Sequence, residues 1–292
     1  MSERPFGSTL STGSFLAMRK AGFRPLRQVQ GSSILSLGWQ RSPALALRSS
    51  LKPKLIGGGY GSYGTGAQVY LPTGSLAVQQ YLNEGVWMEL EERTAAYNDV
   101  RREAVTRLRD NAREAGAVAV VDVRVRRGRF AHAPHAIEFT AIGTAVASDG
   151  LELAEDEAIP LVSLSGGEFW KLYDSGYWPL GIVGGSSVVY VISGYRTKFA
   201  RLRLSKRSLR NQEYEDYTIG LSEARRRAMG RLRQEAREVA AAGALAIEIA
   251  REQREQKDDN LIVTIDVLGN AIAPLEQGAP RGVAYALGLG KA

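Results

Sequence analysis

The side chains best suited to hold a metal ion are His132 and His135, set in the run His-Ala-Pro-His with Glu138 or Asp122 near enough in sequence to add a carboxylate. Zinc and copper take thiolates and imidazoles, and the chain has no cysteine and only these two histidines. Two imidazoles do not close a site within one chain. A metal reading therefore needs histidines from several subunits to converge, and the competing reading is a pair of surface-loop histidines. Beyond that metal, no cofactor is expected.

Anion chemistry has two candidates. Arg196, Lys198, Arg201, Arg203, Lys206, Arg207 and Arg210, interleaved with Tyr195 and Phe199, form a stripe suited to phosphate or nucleic acid. The same residues also suit a solvated amphipathic segment, and that reading is preferred. Arg124, Arg126, Arg127 and Arg129 form a second basic cluster. The glycine-tyrosine run over residues 57–66 invites comparison with phosphate-cradling loops, but it lacks the Gly-Lys-Ser/Thr ending that places a lysine on phosphate. It is expected to be a flexible insertion loop, with Tyr60 and Tyr63 available to stack on a partner.

Enzymatic constellations are missing from the sequence. There is no Cys/His pair, no Gly-x-Ser-x-Gly elbow and no pair of carboxylates at a repeated apolar position. Ser32-Ser33 and Ser186-Ser187 recur without a repeated base beside them, so they are expected to satisfy turn amides rather than to act as nucleophiles. A non-enzymatic protein is expected.

Those serines belong to a repeat that organises the chain. Phe15, Gly22, Pro25, Leu26, Val29 and Gly31-Ser32-Ser33 recur 154 positions later as Phe169, Gly176, Pro179, Leu180, Val183 and Gly185-Ser186-Ser187. Thr94, Arg101, Ala104 and Arg107-Leu108-Arg109 recur at a shift of 124 as Thr218, Arg225, Ala228 and Arg231-Leu232-Arg233. Gly143-Thr-Ala-Val146 and Gly269-Asn-Ala-Ile272 close each copy at a shift of 126. The drop of 30 between the first two shifts marks an insertion in the first copy.

Each copy reads β-α-β-β. Gly31 and Gly185 are expected to be turn residues opening a strand, over 32–37 and 186–192. Val100, Ala104, Leu108 and Ala112 stack at four-residue steps, as do Ala224, Ala228, Leu232 and Ala236, which predicts a helix in each copy. Thr94 and Thr218 are the expected N-caps, and Gly116 and Gly243 the expected C-terminal stops. Anchoring on those glycines gives the second copy three extra residues before its next strand, and anchoring on Val121 and Ile247 gives two; both alternatives remain open. Val121, Val123 and Val125 alternate with Asp122, Arg124 and Arg126 as a half-buried strand would. Closing strands are expected over 137–146 and 261–272. The helical arginines common to both copies, Arg107 and Arg231 among them, suit salt bridges between subunits as readily as ligand anchoring.

The resulting organisation is a flexible tail at 1–13, a first domain at 14–148 with its insertion at 40–91, an acidic linker at 149–167, a second domain at 168–274 and a tail at 275–292. One helix over three strands covers one sheet face only, so a further copy or chain is expected to cover the rest. Intermixed charge, 38 basic against 31 acidic residues for a net +7, reads as a solvated surface, so nucleic acid is not the expected partner. No stretch reaches the roughly 20 apolar residues of a membrane span, and the N-terminus lacks a basic-then-apolar leader, which leads to an expectation of a cytoplasmic protein.

The assembled motifs, Gly-Ser-Ser-hydrophobic, Tyr217-Thr218-x5-Ala224-Arg225-x2-Ala228-x2-Arg231-Leu232, Gly243-Ala244 and Gly-x-Ala-hydrophobic, resemble the YbjQ-like family of heavy-metal-binding domains. The resemblance covers roughly 14–148 and 168–274, and the first copy departs from it at Arg93, where the pattern has tyrosine, and at Val100. It implies an α+β, two-layer fold with one long helix per domain, similar to dodecin subunits, and a ring-forming homopentamer. The function expected from it is a homo-oligomeric structural assembly that binds a small ligand or a protein partner. Metal binding by inter-subunit histidines and a basic nucleic-acid-binding ring are the alternatives.

Overall fold

A computed structural model describes residues 7–37, 60–63, 67–70, 86–129, 133, 136–148, 153, 157–201, 213–256 and 259–275. In chain order the elements are α1 (Thr12–Lys20), β1 (Phe23–Ser36), β2 (Tyr60–Tyr63), β3 (Ala67–Tyr70), β4 (Val86–Glu89), α2 (Glu91–Glu114), β5 (Ala119–Arg129) and β6 (Ala136–Ser148). They are followed by α3 (Gly166–Asp174), β7 (Tyr177–Ile192), α4 (Tyr195–Arg201), α5 (Glu215–Glu238), β8 (Gly243–Glu255) and β9 (Leu261–Pro274). The strands form an antiparallel sheet β1-β6-β5, a second antiparallel sheet β4-β7-β9-β8, and the small hairpin β2-β3. That hairpin lies partly within the glycine-tyrosine run, so Tyr60–Tyr63 is strand rather than loop.

Both long helices form where the four-residue apolar steps predict them. Val100, Ala104, Leu108 and Ala112 are buried on α2, as are Ala224, Ala228 and Leu232 on α5. Neither threonine is an N-cap. The caps are Leu90 and Tyr214, neither of which makes a side-chain cap hydrogen bond, and Thr94 sits inside the first turns of α2.

The repeated glycines are not turn residues either. Gly31 and Gly185 lie within β1 and β7. A methyl group on Gly31 would overlap the Ala104 carbonyl oxygen and the Leu108 amide of α2, and one on Gly185 would overlap the Ala228 carbonyl oxygen of α5. Glycine is needed there because helix backbone lies directly on strand backbone.

At the helix exits the left-handed position is held by Gly116 (φ 70°) and by Ala240 (φ 53°), while Gly243 opens β8. Neither of the two anchorings expected from sequence is adopted. Asp122 and Ala246, also 124 positions apart, both have positive φ at a β-bulge, between Val121/Arg124 and between Leu245/Glu248. The extra residues fall instead in the β8–β9 connection, since Ala119 pairs with Val146 but Gly243 with Ile272. The bulge also breaks the expected valine alternation: Val121 joins one core cluster, and Val120 and Val123 another.

Two further differences concern the segments read as tail and linker. The helices α1 and α3 precede β1 and β7, capped by Ser11 and by a Ser165/Glu168 capping box. Ahead of α1, the Thr9 amide donates to the buried Thr144 hydroxyl at 3.0 Å. Within the segment read as linker, Leu161 and Val162 are fully buried, and the Val120 and Val123 amides donate to Pro160 and Val162 at 2.9 Å, so this segment runs along the edge of β5. One core cluster draws on both halves of the chain, packing Met18, Phe23 and Val146 with Phe169, Trp178 and Ile272.

Candidate functional site at the seam between the halves

A buried polar network lies where α2 and β4, from the first half, meet β7 and α5 of the second. β4 falls inside the expected insertion, yet it pairs with the edge of β7 in the second sheet, Val86 opposite Ile192 and Glu89 opposite Val189. The Leu90 amide extends the ladder by donating to the Val188 carbonyl at 2.8 Å. This places the Glu89 carboxylate, with a side chain only 4% exposed, under α5.

Glu89 accepts hydrogen bonds from Arg227 (2.8 Å), Arg231 (2.8 and 3.1 Å) and the Ser187 hydroxyl (2.7 Å). Burial alone would raise its carboxyl, but the bonds from Arg231 and Ser187, with the Arg231 charge, hold it below the usual carboxylate range. Along α2, Thr94, Asn98 and Arg101 follow at steps of four and three on one face. The Thr94 hydroxyl accepts from the Val188 amide at 2.9 Å. Asn98 reads both backbone groups of Ser186, accepting from its amide at 2.9 Å and donating to its carbonyl at 3.1 Å. Arg101 donates to the Gly184 carbonyl (3.2 Å) and to Glu235 (2.6 Å), whose other oxygen accepts from the Gly184 amide at 2.8 Å.

Below this network Arg127 of β5 reaches across the seam to Glu252 (2.8 Å) and Asp266 (3.1 Å). Burial raises the Asp266 carboxyl against the pull of the Arg127 charge. The Arg127 guanidinium also lies 5.3 Å from the centroid of the Tyr97 ring.

Several residues expected from sequence are drawn into or beside this seam. Ser186 and Ser187 are fully buried in it, and Arg231 is one of the two arginines that bond Glu89. Their counterparts Ser32 and Ser33 lie on β1, where Arg107 donates to the Ser32 carbonyl at 2.7 Å. Thr218 lies on α5 without an N-cap role. Arg196 and Lys198 are on α4, exposed and half-buried, and Arg201 ends that helix. Arg203, Lys206, Arg207 and Arg210 lie outside the described residues, as do His132 and His135. Among the described residues no group of three or more His, Cys, Asp or Glu is placed to hold a metal, and no helix is long and apolar enough to cross a membrane.

Glu89, Asn98, Arg101, Arg227 and Glu235 were not singled out from sequence as seam residues. Their partners across the seam lie between 83 and 142 positions away, and the one local signal is the polar Thr94/Asn98/Arg101 face running beside the apolar stripe of α2.

Residues 79–149 match a family model, YbjQ, described as "Putative heavy-metal-binding". Over 252 residues, 85% of this chain and 79% of the relative, the sequence is 25% identical to the encapsulin nanocompartment protein Rv1762c of Mycobacterium tuberculosis.

Proposed function

We propose, from the premise that residues 79–149 belong to the YbjQ-like family, that the chain is a tandem of two such domains whose function is to assemble with itself, head to tail, into a non-enzymatic structural oligomer. The supporting observation is the seam. It is a heterologous contact, joining the helix and leading strand of one half to the strand edge of the other, and each half retains the surface that the other has used.

On the first half, β1 offers Ile34 (46% exposed) and Leu35 (39%), where Val188 and Val189, at the equivalent positions of β7, are fully buried, Val188 in the cluster that holds Leu90, Tyr97 and Val100 and Val189 paired with Glu89 of β4. On the second half, α5 presents Ser222 and Arg225 to solvent, where Asn98 and Arg101, 124 positions earlier, are buried in the seam. A heterologous contact repeated between chains gives a ring if its rotation closes and a filament if it does not. The encapsulin compartment protein to which the chain is similar accords with an assembly role.

Five chains is the ring size the family resemblance implies. If every contact in the ring reproduces the seam, each chain occupies two adjacent places and the number of domains in the ring is even, so five chains would make a ring of ten domains. Native mass spectrometry of the full-length, untagged chain tests the reading. A single closed stoichiometry is expected, and a monomer at all concentrations would overturn it.

A further inference from the structure

A cavity of about 240 Å³ opens on the seam, walled by the first half through α2, β5 and β6 and by the second through β8 and β9. Its apolar wall includes Tyr97, Ile137 and Ile262, and its cations are Arg93, Arg127 and Arg254. Arg127 is committed to Glu252 and Asp266. Arg93 is not committed. It is only 8% exposed, its Nε is buried without a hydrogen-bond partner, and among the described residues no carboxylate lies within salt-bridge distance of it. It lies over the Tyr97 ring, 6.0 Å from the guanidinium carbon to the centroid. Arg254, exposed at the rim, has no described carboxylate partner either.

A guanidinium taken out of water needs a counter-charge, because a buried unpaired cation is strongly unfavourable. Its planar fork of donors matches a carboxylate in particular. We propose that this cavity binds a small organic carboxylate, its anionic end held by Arg93 with Arg254 at the rim and its apolar body against Tyr97, Ile137 and Ile262. The volume lies below the roughly 300–1,000 Å³ of pockets for drug-sized ligands, which restricts the body to a single small ring or short chain. The site is built once per chain. At the positions of α5 corresponding to Arg93 and Tyr97 stand Tyr217 and Leu221, which supply no cation. It needs only the two halves of one chain, so it stands independently of the assembly proposed above.

The test is calorimetric titration of the full chain with benzoate, with inorganic phosphate and benzyl alcohol as comparison probes. Saturable benzoate binding is expected, with at least tenfold weaker binding of both comparison probes. Arg93→Gln is expected to weaken benzoate binding tenfold or more, and Arg254→Gln severalfold. A thermal scan guards against misfolding: benzoate should raise the melting temperature of the wild-type chain, while Arg93→Gln should melt no lower than the ligand-free wild type and lose the ligand-induced rise. Absence of benzoate binding, preference for phosphate, or unchanged affinity in folded Arg93→Gln would each overturn the proposal.

Discussion

Glu89 is the residue on which the seam converges. It has two arginines and two hydroxyls around one nearly buried carboxylate. Replacing it by glutamine keeps the shape and removes the charge. Arg231 then has no carboxylate partner among the described residues, whereas Arg227 retains Glu223 at 2.9 Å. Breaking a buried pair from one side costs about 3–5 kcal/mol; both guanidinium groups are one-third exposed, and solvent screening reduces the expected loss for Glu89→Gln to about 2 kcal/mol. The pH dependence follows from the direction of the shift. A carboxyl held below its unfolded value contributes its stabilisation in full above that value and loses it as the pH falls through the folded one. Urea denaturation of wild type and variant should therefore show a constant gap near neutrality that narrows below the usual carboxylate range. A gap unchanged by acid would show that the charge of Glu89 is not what matters.

At the scale of elements, the close approach of α2 to β1 and of α5 to β7 is made by glycine. Gly185→Ala should destabilise the chain by about 1–3 kcal/mol, the usual cost of overpacking, because the colliding atoms are helix backbone. Gly230→Ala, on the same helix α5 but with nothing within 4 Å of the added methyl, should stabilise it by about 0.5–1 kcal/mol. Chemical denaturation of the two variants side by side checks the sign of each, and a neutral Gly185→Ala would remove the packing explanation. The contrast bears on what the sequence disclosed. The apolar stripes of both long helices, the closing strands and the β-α-β-β order were legible because periodicity is a local property. Gly31 and Gly185 look like turn residues in the sequence because the helix that requires glycine there is more than 40 positions away. The four-residue β4 was absorbed into an insertion because its partner belongs to the other half, and the nine-residue α1 and α3 were passed over although Ser165 and Glu168 spell a capping box. At the candidate site, Ser186, Ser187 and Arg231 were found as repeated residues, but Glu89 and Asn98 were not. In the sequence Arg93 stands out only as a departure from the family pattern, and its cavity beside Tyr97 is lined from both sheets.

For the whole molecule, the two halves are joined by a contact whose complementary surfaces remain open on β1 and on α5. β8 adds to the incomplete surface. Leu245, Ile247 and Ile249 are 41–43% exposed, whereas Val121 and Val123, 124 positions before the first two, are buried and the edge of β5 is lined by residues 160–164. Head-to-tail assembly would bring Ser222 of one chain against Ser32 of the next, as Asn98 lies against Ser186 within the chain. The chain contains no cysteine, so a cross-link can be placed without background. Two hydrogen bonds join Asn98 to the Ser186 backbone, so cysteines at the corresponding positions of two chains would face each other. The most direct measurement is mild oxidation of the Ser32→Cys/Ser222→Cys double variant, read by non-reducing electrophoresis against each single variant. Self-assembly through repeats of the seam predicts a ladder of linked chains in the double variant alone, ending at the stoichiometry seen by native mass spectrometry. An oligomer that gives no ladder, or a chain that stays unlinked and monomeric, would contradict it.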